Sequence, residues 1–300
     1  MKAKLDSYCR LFRIEHALLL AVAVLLGELL AGASNPAALQ PQAAPGSLPL
    51  SLPILLFSLA VPVFIEMGSF ALNDYFDVKA DKANKRLDRP IAAGEIPPKS
   101  ALVAAVICYI VGVAAALPLP PLALSIALLF AALSLAYNFK LKELPLVGNA
   151  YIAASMAIPF IFGNLVASST LEPRIIAIAA VAFIAGLGRE IIKSAEDVEG
   201  DVKHRNARTL PALVGVKSSA YAAAALYTLL VPLSFLPFAY GLHVNVLSLG
   251  LVSIAALAFL AMAAKAAKSQ EKESLISLRK ASLAALAAGL AGYAASLIRF

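Results

Sequence analysis

Continuous apolar stretches recur along the chain at about 14–33, 50–73, 101–117, 119–136, 146–167, 174–193, 218–240, 244–264 and 281–298. A helix needs about 20 apolar residues to cross roughly 30 Å of hydrocarbon, so the pattern predicts nine transmembrane helices. Only Leu117-Pro118-Leu119-Pro120-Pro121 separates the third from the fourth. Prolines there stop one helix and start the next, which predicts a tight, uncharged hairpin. Polar residues concentrate in two segments, 74–100 and 194–217, which follow the second and sixth helices. Those helices run in the same direction, so the expected fold is an all-α polytopic membrane protein of two four-helix halves plus one helix, organised as a parallel repeat.

Composition excludes a soluble domain: 61% of the residues are hydrophobic and the mean hydropathy is +0.84, more than a water-facing surface tolerates. Charge placement tests the helix count independently, because Lys and Arg collect on the cytoplasmic side of alternate loops. With nine helices, all of the 25 basic residues except Arg174 and Arg299 fall at internal segments or internal helix ends. The reading is a single transmembrane domain over 1–300, multi-pass in the cell membrane, with the amino terminus cytoplasmic and the carboxyl terminus external. This topology, with attraction to anionic membrane lipid, accounts for the net charge of +7 without a nucleic-acid partner. The first apolar run exceeds a signal-peptide core and is retained as a helix. Cys9 and Cys108 are too few for a disulfide framework and lack metal-site spacing.

The chemistry lies in two acidic clusters. The first reads Asn73-Asp74-Tyr75-Phe76-Asp77-Val78-Lys79-Ala80-Asp81 and continues to Arg89-Pro90-Ile91-Ala92-Ala93-Gly94. At about 100° per residue, with Asp74 as zero, Asn73, Asp77 and Asp81 lie near 260°, 300° and 340°, so four oxygen-bearing side chains share an arc of about 100°. The second runs from Arg189 and Glu190 to Asp201. Its Asp197 and Asp201 share a face with Glu190 and Lys193 if the helix continues through Gly200.

Carboxylates that converge near a membrane repel one another and are rarely kept without a cation. Mg²⁺ suits them, since it takes one or two carboxylates while phosphate oxygens and waters complete its octahedron. Neighbouring Arg and Lys then stabilise charge on a departing diphosphate. A cation transporter is the non-enzymatic alternative, but transporters place their acids at the bilayer midplane, whereas these sit at helix ends with basic loops behind them. Glu66 and Glu28 are further intramembrane acids without an assigned role. His16, His204 and His243 are single and lack ligand spacing.

These residues resemble the UbiA superfamily of intramembrane prenyltransferases. The resemblance is carried by N-D-x-x-D-x-x-x-D at 73–81, R-P-I-x-x-G at 89–94 and D-x-x-x-D at 197–201. Tyr137-Asn138-Phe139-Lys140-Leu141-Lys142, Pro145 to Asn149 and Ala207 to Pro211 extend it over nearly the whole chain. Within the superfamily, the run from Arg189 to Gly200 with Arg208-Thr209-Leu210-Pro211 is similar to the branch that makes the second ether bond of archaeal membrane lipids. One run departs from the pattern: many members carry Arg-Pro where this chain has Arg13-Ile14-Glu15-His16, which is similar to some aromatic-acceptor members.

The resemblance implies nine helices around a central cavity and a Mg²⁺-dependent enzyme, a prenyltransferase, using two ions. It implies Asp74, Asp77, Asp81, Asp197 and Asp201 as metal and diphosphate ligands, with Asn73 assisting. Arg86, Lys140, Lys142, Lys193 and Arg208, together with Asn149, would hold the diphosphate or the acceptor's phosphate, and Tyr137 would face the nascent allylic cation. The expected partners are a prenyl diphosphate donor and a lipid-phosphate acceptor. The expected reaction moves geranylgeranyl from geranylgeranyl diphosphate to the sn-2 hydroxyl of geranylgeranylglyceryl phosphate. The alternative acceptor is 4-hydroxybenzoate or a related aromatic of quinone or haem biosynthesis.

Overall fold

The computed structural model describes residues 2–34, 51–83, 86–205 and 209–298, with side chains over 5–32, 51–82, 86–198 and 209–298. Every regular element among them is a helix. Nine are long and apolar enough to cross a membrane, as the hydropathy pattern requires, and the chain is a multi-pass membrane protein. Large apolar side chains such as Val103, Ile107, Ile110, Leu129 and Leu257 are exposed, which suits a lipid-facing surface.

A short helix not expected from the hydropathy comes first, α1 (Lys2–Phe12). It buries Ser7 and Leu11 one turn apart and exposes Leu5, so it has one inward stripe. Arg13 then adopts a left-handed φ of 44°, which breaks the helix and lets α2 (Ile14–Ser34) start in a new direction.

The hydropathy pattern ends the second spanning helix at 73, but α3 covers Leu52–Ala83, 32 residues. At about 1.5 Å per residue this is roughly 48 Å, longer than the ~30 Å hydrocarbon layer. The extra turns contain neither Gly nor Pro, so the helix continues past the point where its composition turns polar. α4 (Pro98–Ala116) and α5 (Pro121–Phe139) each begin with proline, whose missing N–H costs nothing there. The hairpin between them is as tight as expected, with the Leu119 amide donating to the Ala116 carbonyl at 3.1 Å.

A 3₁₀ turn (Leu141–Glu143) leads to α6 (Val147–Ala167). Next come α7 (Pro173–Arg205), α8 (Leu210–Val214), α9 (Val216–Leu233) and α10 (Leu236–Ala239). The chain closes with α11 (Val246–Lys268) and α12 (Lys272–Ala295). At 33 residues, α7 also outruns its apolar stretch.

The chain divides into two compact units, residues 1–142 with 162–170 and residues 143–161 with 171–300. In the first, α3 packs along α4, with α1, α2 and α5 also against it. Leu11, Ala71, Leu72, Ile91, Ile96, Ala101 and Ala105 form a buried cluster that joins α1, α3, α4 and the loop between the last two. In the second, α7 packs against α9 and α12, and α11 packs on both of those. α9 approaches α7 at Gly188, where an added Cβ would lie 2.7 Å from the Tyr227 ring.

Candidate active site

The first unit's acids sit on the extended end of α3. Asp74 is 1% exposed. Its Oδ1 accepts from Arg13 Nη2 at 2.8 Å and from Arg89 Nη1. Oδ2 is buried and has no hydrogen-bond partner among the described residues. One oxygen is thus clamped by two guanidinium groups while the other is left to a ligand. The Arg13 guanidinium also stacks over the Phe70 ring, 4.2 Å from its centre.

Asp77 and Asp81 follow on the same helix. Asp77 Oδ1 accepts from Lys142 Nζ at 2.7 Å, brought in by the 3₁₀ turn after α5. Asp81 is buried, and Arg86 lies 4.0 Å away in an ion pair. Each expected metal-ligating aspartate of this cluster therefore has its own basic partner. Asn73 is half-buried beside Asp74, Tyr137 is half-buried on α5, and Lys140 is exposed just past the end of α5.

The loop from 86 to 97 is folded back on itself. The Ala93 amide donates to Arg89 O at 2.9 Å and the Glu95 amide to Pro90 O at 2.9 Å. Gly94 takes a φ of +80°, a conformation that a side chain disfavours and that explains the glycine of the R-P-I-x-x-G run. These bonds hold Arg89 where it reaches Asp74.

In the second unit, Glu190 is buried and pairs with Arg189 at 2.6 Å and Lys193 at 3.5 Å, all on α7. Glu196 receives two hydrogen bonds from Arg279 of α12, at 2.7 and 3.1 Å. Asn149 donates to Ser194 Oγ at 3.0 Å. Asp197 is exposed. Asp201 lies on the last turns of α7, but its side chain, like all of Arg208, is outside the described residues. The two acidic clusters belong to different units.

The structure thus adds Arg13 and Arg89 to the expected site residues. Arg89 stood inside a recognised motif, and Arg13 opened the run compared with the family's Arg-Pro; those were the available signals. The Glu196–Arg279 pair was also missed, being 83 positions apart in sequence. Of the two unassigned acids, Glu28 is 0% exposed and Glu66 is half-buried on α3.

Among the described residues no three carboxylate, His or Cys groups form a ready-made metal cage. The donor set is nevertheless suited to Mg²⁺: hard oxygens on one helix face, one of them buried and unpaired, with cations alongside for phosphate. A polytopic helical protein with such a site is built to handle a phosphorylated substrate at a membrane surface.

Comparison with known proteins gives this class a family. The UbiA prenyltransferase family profile matches residues 36–286, and the chain belongs to that family; it is a prenyltransferase. Digeranylgeranylglyceryl phosphate synthase of Archaeoglobus fulgidus is 34% identical over 237 residues, 79% of this chain and 76% of the relative. A solved structure described as digeranylgeranylglyceryl phosphate synthase in membranes superposes with a TM-score of 0.78 and 26% identity, covering 100% of both chains. A UbiA homologue from Archaeoglobus fulgidus, solved with GPP and Mg²⁺, shares the fold with a TM-score of 0.62 and 18% identity over 96% of this chain and 99% of its own.

Proposed function

We propose that this enzyme transfers a geranylgeranyl group from geranylgeranyl diphosphate to the sn-2 hydroxyl of geranylgeranylglyceryl phosphate. The observation that carries this is the row of three aspartates on α3, each matched with its own basic side chain. The relationship to digeranylgeranylglyceryl phosphate synthase supports the choice of acceptor.

Asp74, Asp77 and Asp81, with Asp197 and Asp201, would hold Mg²⁺, in our reading two ions. Bound there, Mg²⁺ neutralises the diphosphate and makes it a better leaving group. Lys142 and Arg86 are already poised beside these carboxylates, so both can turn to phosphate oxygens without travelling far. Lys140, Lys193, Arg208 and Asn149 would extend the grip to the rest of the diphosphate or to the acceptor's phosphate, and Asn73 would assist Asp74. Arg13 and Arg89 keep Asp74 in one orientation.

In the reaction the bond from C1 to the diphosphate oxygen breaks and a bond from the acceptor oxygen to C1 forms. The hydroxyl proton passes to an oxygen of the departing diphosphate or of an aspartate. Tyr137 would face the allylic cation, and the apolar spans around it exclude the water that would otherwise capture that cation. The basic residues at the helix ends support a site on the cytoplasmic side, with the amino terminus inside and the carboxyl terminus outside.

The test is to incubate purified protein with geranylgeranyl diphosphate, Mg²⁺ and either geranylgeranylglyceryl phosphate or 4-hydroxybenzoate, and to weigh the product. The expected product is digeranylgeranylglyceryl phosphate. Prenylation of the aromatic acid alone would overturn the acceptor, and no transfer to either would overturn the reaction.

A further inference from the structure

Two arginines reach the same oxygen of Asp74 from opposite sides in sequence. Arg13 lies just past α1, whereas Arg89 lies in the loop between α3 and α4. The loop's own backbone bonds hold Arg89 within its segment, but nothing in either segment alone sets it against the other, and a polar clip joins the two. Glu95 Oε2 accepts from Ser7 Oγ at 2.6 Å and from Arg10 Nη2. Arg10 is itself steadied by Asp6, one turn back at 3.1 Å, and its Nη1 lies 3.5 Å from the Asp88 carbonyl.

Backbone bonds connect the clip to Arg13 itself and to Pro90, the neighbour of Arg89. On one side the Arg13 amide donates to Arg10 O at 3.4 Å, and on the other the Glu95 amide donates to Pro90 O at 2.9 Å, next to Arg89. Beneath it, Leu11 from α1 and Ile91 and Ile96 from the loop share one buried cluster. An apolar contact of this kind brings two segments together without fixing their rotation, whereas hydrogen bonds to a carboxylate are directional.

We propose that Ser7, Arg10 and Glu95 are positioning residues: their clip locks α1 to the 86–97 loop, so that Arg13 and Arg89 meet on Asp74 Oδ1 and Oδ2 is presented to the substrate's metal-bound diphosphate. This rests on the reading of Asp74 as a ligand of that complex. The Arg10 and Glu95 side chains are 37% and 35% exposed, and pairs that open to water contribute little to stability. Their value lies in orientation, where an error of about 1 Å can cost on the order of a hundredfold in rate.

Glu95→Ala and Glu95→Gln, made in the full-length protein in nanodiscs, test this with three readouts: kcat with Mg²⁺ and both substrates saturating, the melting temperature, and amide hydrogen exchange over 86–97. Glu95→Ala is expected to lower kcat about tenfold, to leave the melting temperature within about 2 °C, and to speed exchange in the loop. Glu95→Gln keeps the accepting oxygen and is expected to restore kcat to within about threefold of the parent. Faster exchange with unchanged kcat would overturn the proposal, because the clip would then be structural only. Unchanged exchange, a kcat that falls in step with the melting temperature, or no rescue by glutamine would overturn it as well. Asp74→Asn run alongside separates the two claims: full turnover in that variant sinks the reading of Asp74, whereas a dead Asp74→Asn beside a fully active Glu95→Ala sinks only the clip.

Discussion

The two acidic clusters are handled in opposite ways. On α3 the aspartates of the motif are the ones the fold pins: Asp74 and Asp81 are buried, and their partners, with those of Asp77, come from the turn after α1, the 86–97 loop and the turn after α5. Among the described side chains of α7, the pinned acids lie outside the D-x-x-x-D pattern. Glu190 is neutralised by its own helix and Glu196 by Arg279 of α12, whereas motif residue Asp197 is exposed. On the proposed reading, tertiary ion pairs orient the candidate ligands in the first unit, whereas in the second they fasten helices. A residue's acidity and depth do not say which task it has; its partners do.

The sharpest way to break this comparison is to remove charge from Asp74. Asp74→Asn preserves shape and one accepting oxygen, so the fold should survive, while the metal-bound diphosphate loses an oriented anionic ligand. Turnover should fall about 10³-fold, roughly 4 kcal/mol of barrier, as measured by product mass with Mg²⁺ saturating. Asp197→Asn should also fall, by about 10²-fold. Unchanged turnover in both would remove the metal role from both clusters.

Arg279→Met asks the reverse question of the second unit. It leaves Glu196, whose side chain is 10% exposed, without its bidentate partner. Breaking a fully buried pair costs about 3–5 kcal/mol, and partial exposure of Arg279 lowers this to about 2 kcal/mol. The expected outcome is a lower melting temperature with kcat reduced less than tenfold. A loss of kcat as large as that of Asp74→Asn, at unchanged melting temperature, would erase the distinction between orienting and fastening.

A loss of similar size is expected at Gly188, where the approach of α9 leaves no room for a methyl group. Gly188→Ala would push its Cβ into the Tyr227 ring, and overpacking of this kind costs about 1–3 kcal/mol. Because Gly188 is adjacent to Arg189, a fall in melting temperature without a change in donor KM would confirm that this stretch of α7 supports the site rather than contacting substrate.

Much of this architecture was legible in the chain. Nine apolar runs correspond to nine helices of spanning length among the described residues, because the hydrocarbon layer sets their length and requires their backbone bonds to be satisfied internally. The ends were not legible: hydropathy marks where a helix leaves lipid, not where its hydrogen bonds stop, so α3 was read to 73 although it reaches Ala83. The helical phases of Asp74, Asp77 and Asp81 could be computed because all three occupy one helix. The contact of Arg13 with Asp74 was not legible because 61 positions separate them, and no local pattern encodes a contact over that distance. Arg279, 83 positions from Glu196, escaped for the same reason.

The mildest test uses two carboxyl groups that burial cannot tell apart. Glu28 of α2 is as deeply buried as Asp74, 0% against 1% exposed, yet neither of its oxygens has a hydrogen-bond partner among the described residues. The hydroxyl of Ser58 is within reach of the Glu28 carboxyl and donates to the Leu55 carbonyl at 2.8 Å. A buried polar group without partners costs stability, and an apolar side chain of similar length removes that cost. Glu28→Met should therefore stabilise the protein by about 1 kcal/mol, roughly 2–4 °C in melting temperature for a chain of this size, and leave turnover within about twofold. An apolar replacement of Asp74 should do the opposite, stranding two arginines and abolishing activity. If Glu28→Met lost turnover while gaining stability, an unpinned acid would be functional too, and partners alone would no longer separate the acids that act from those that are merely enclosed.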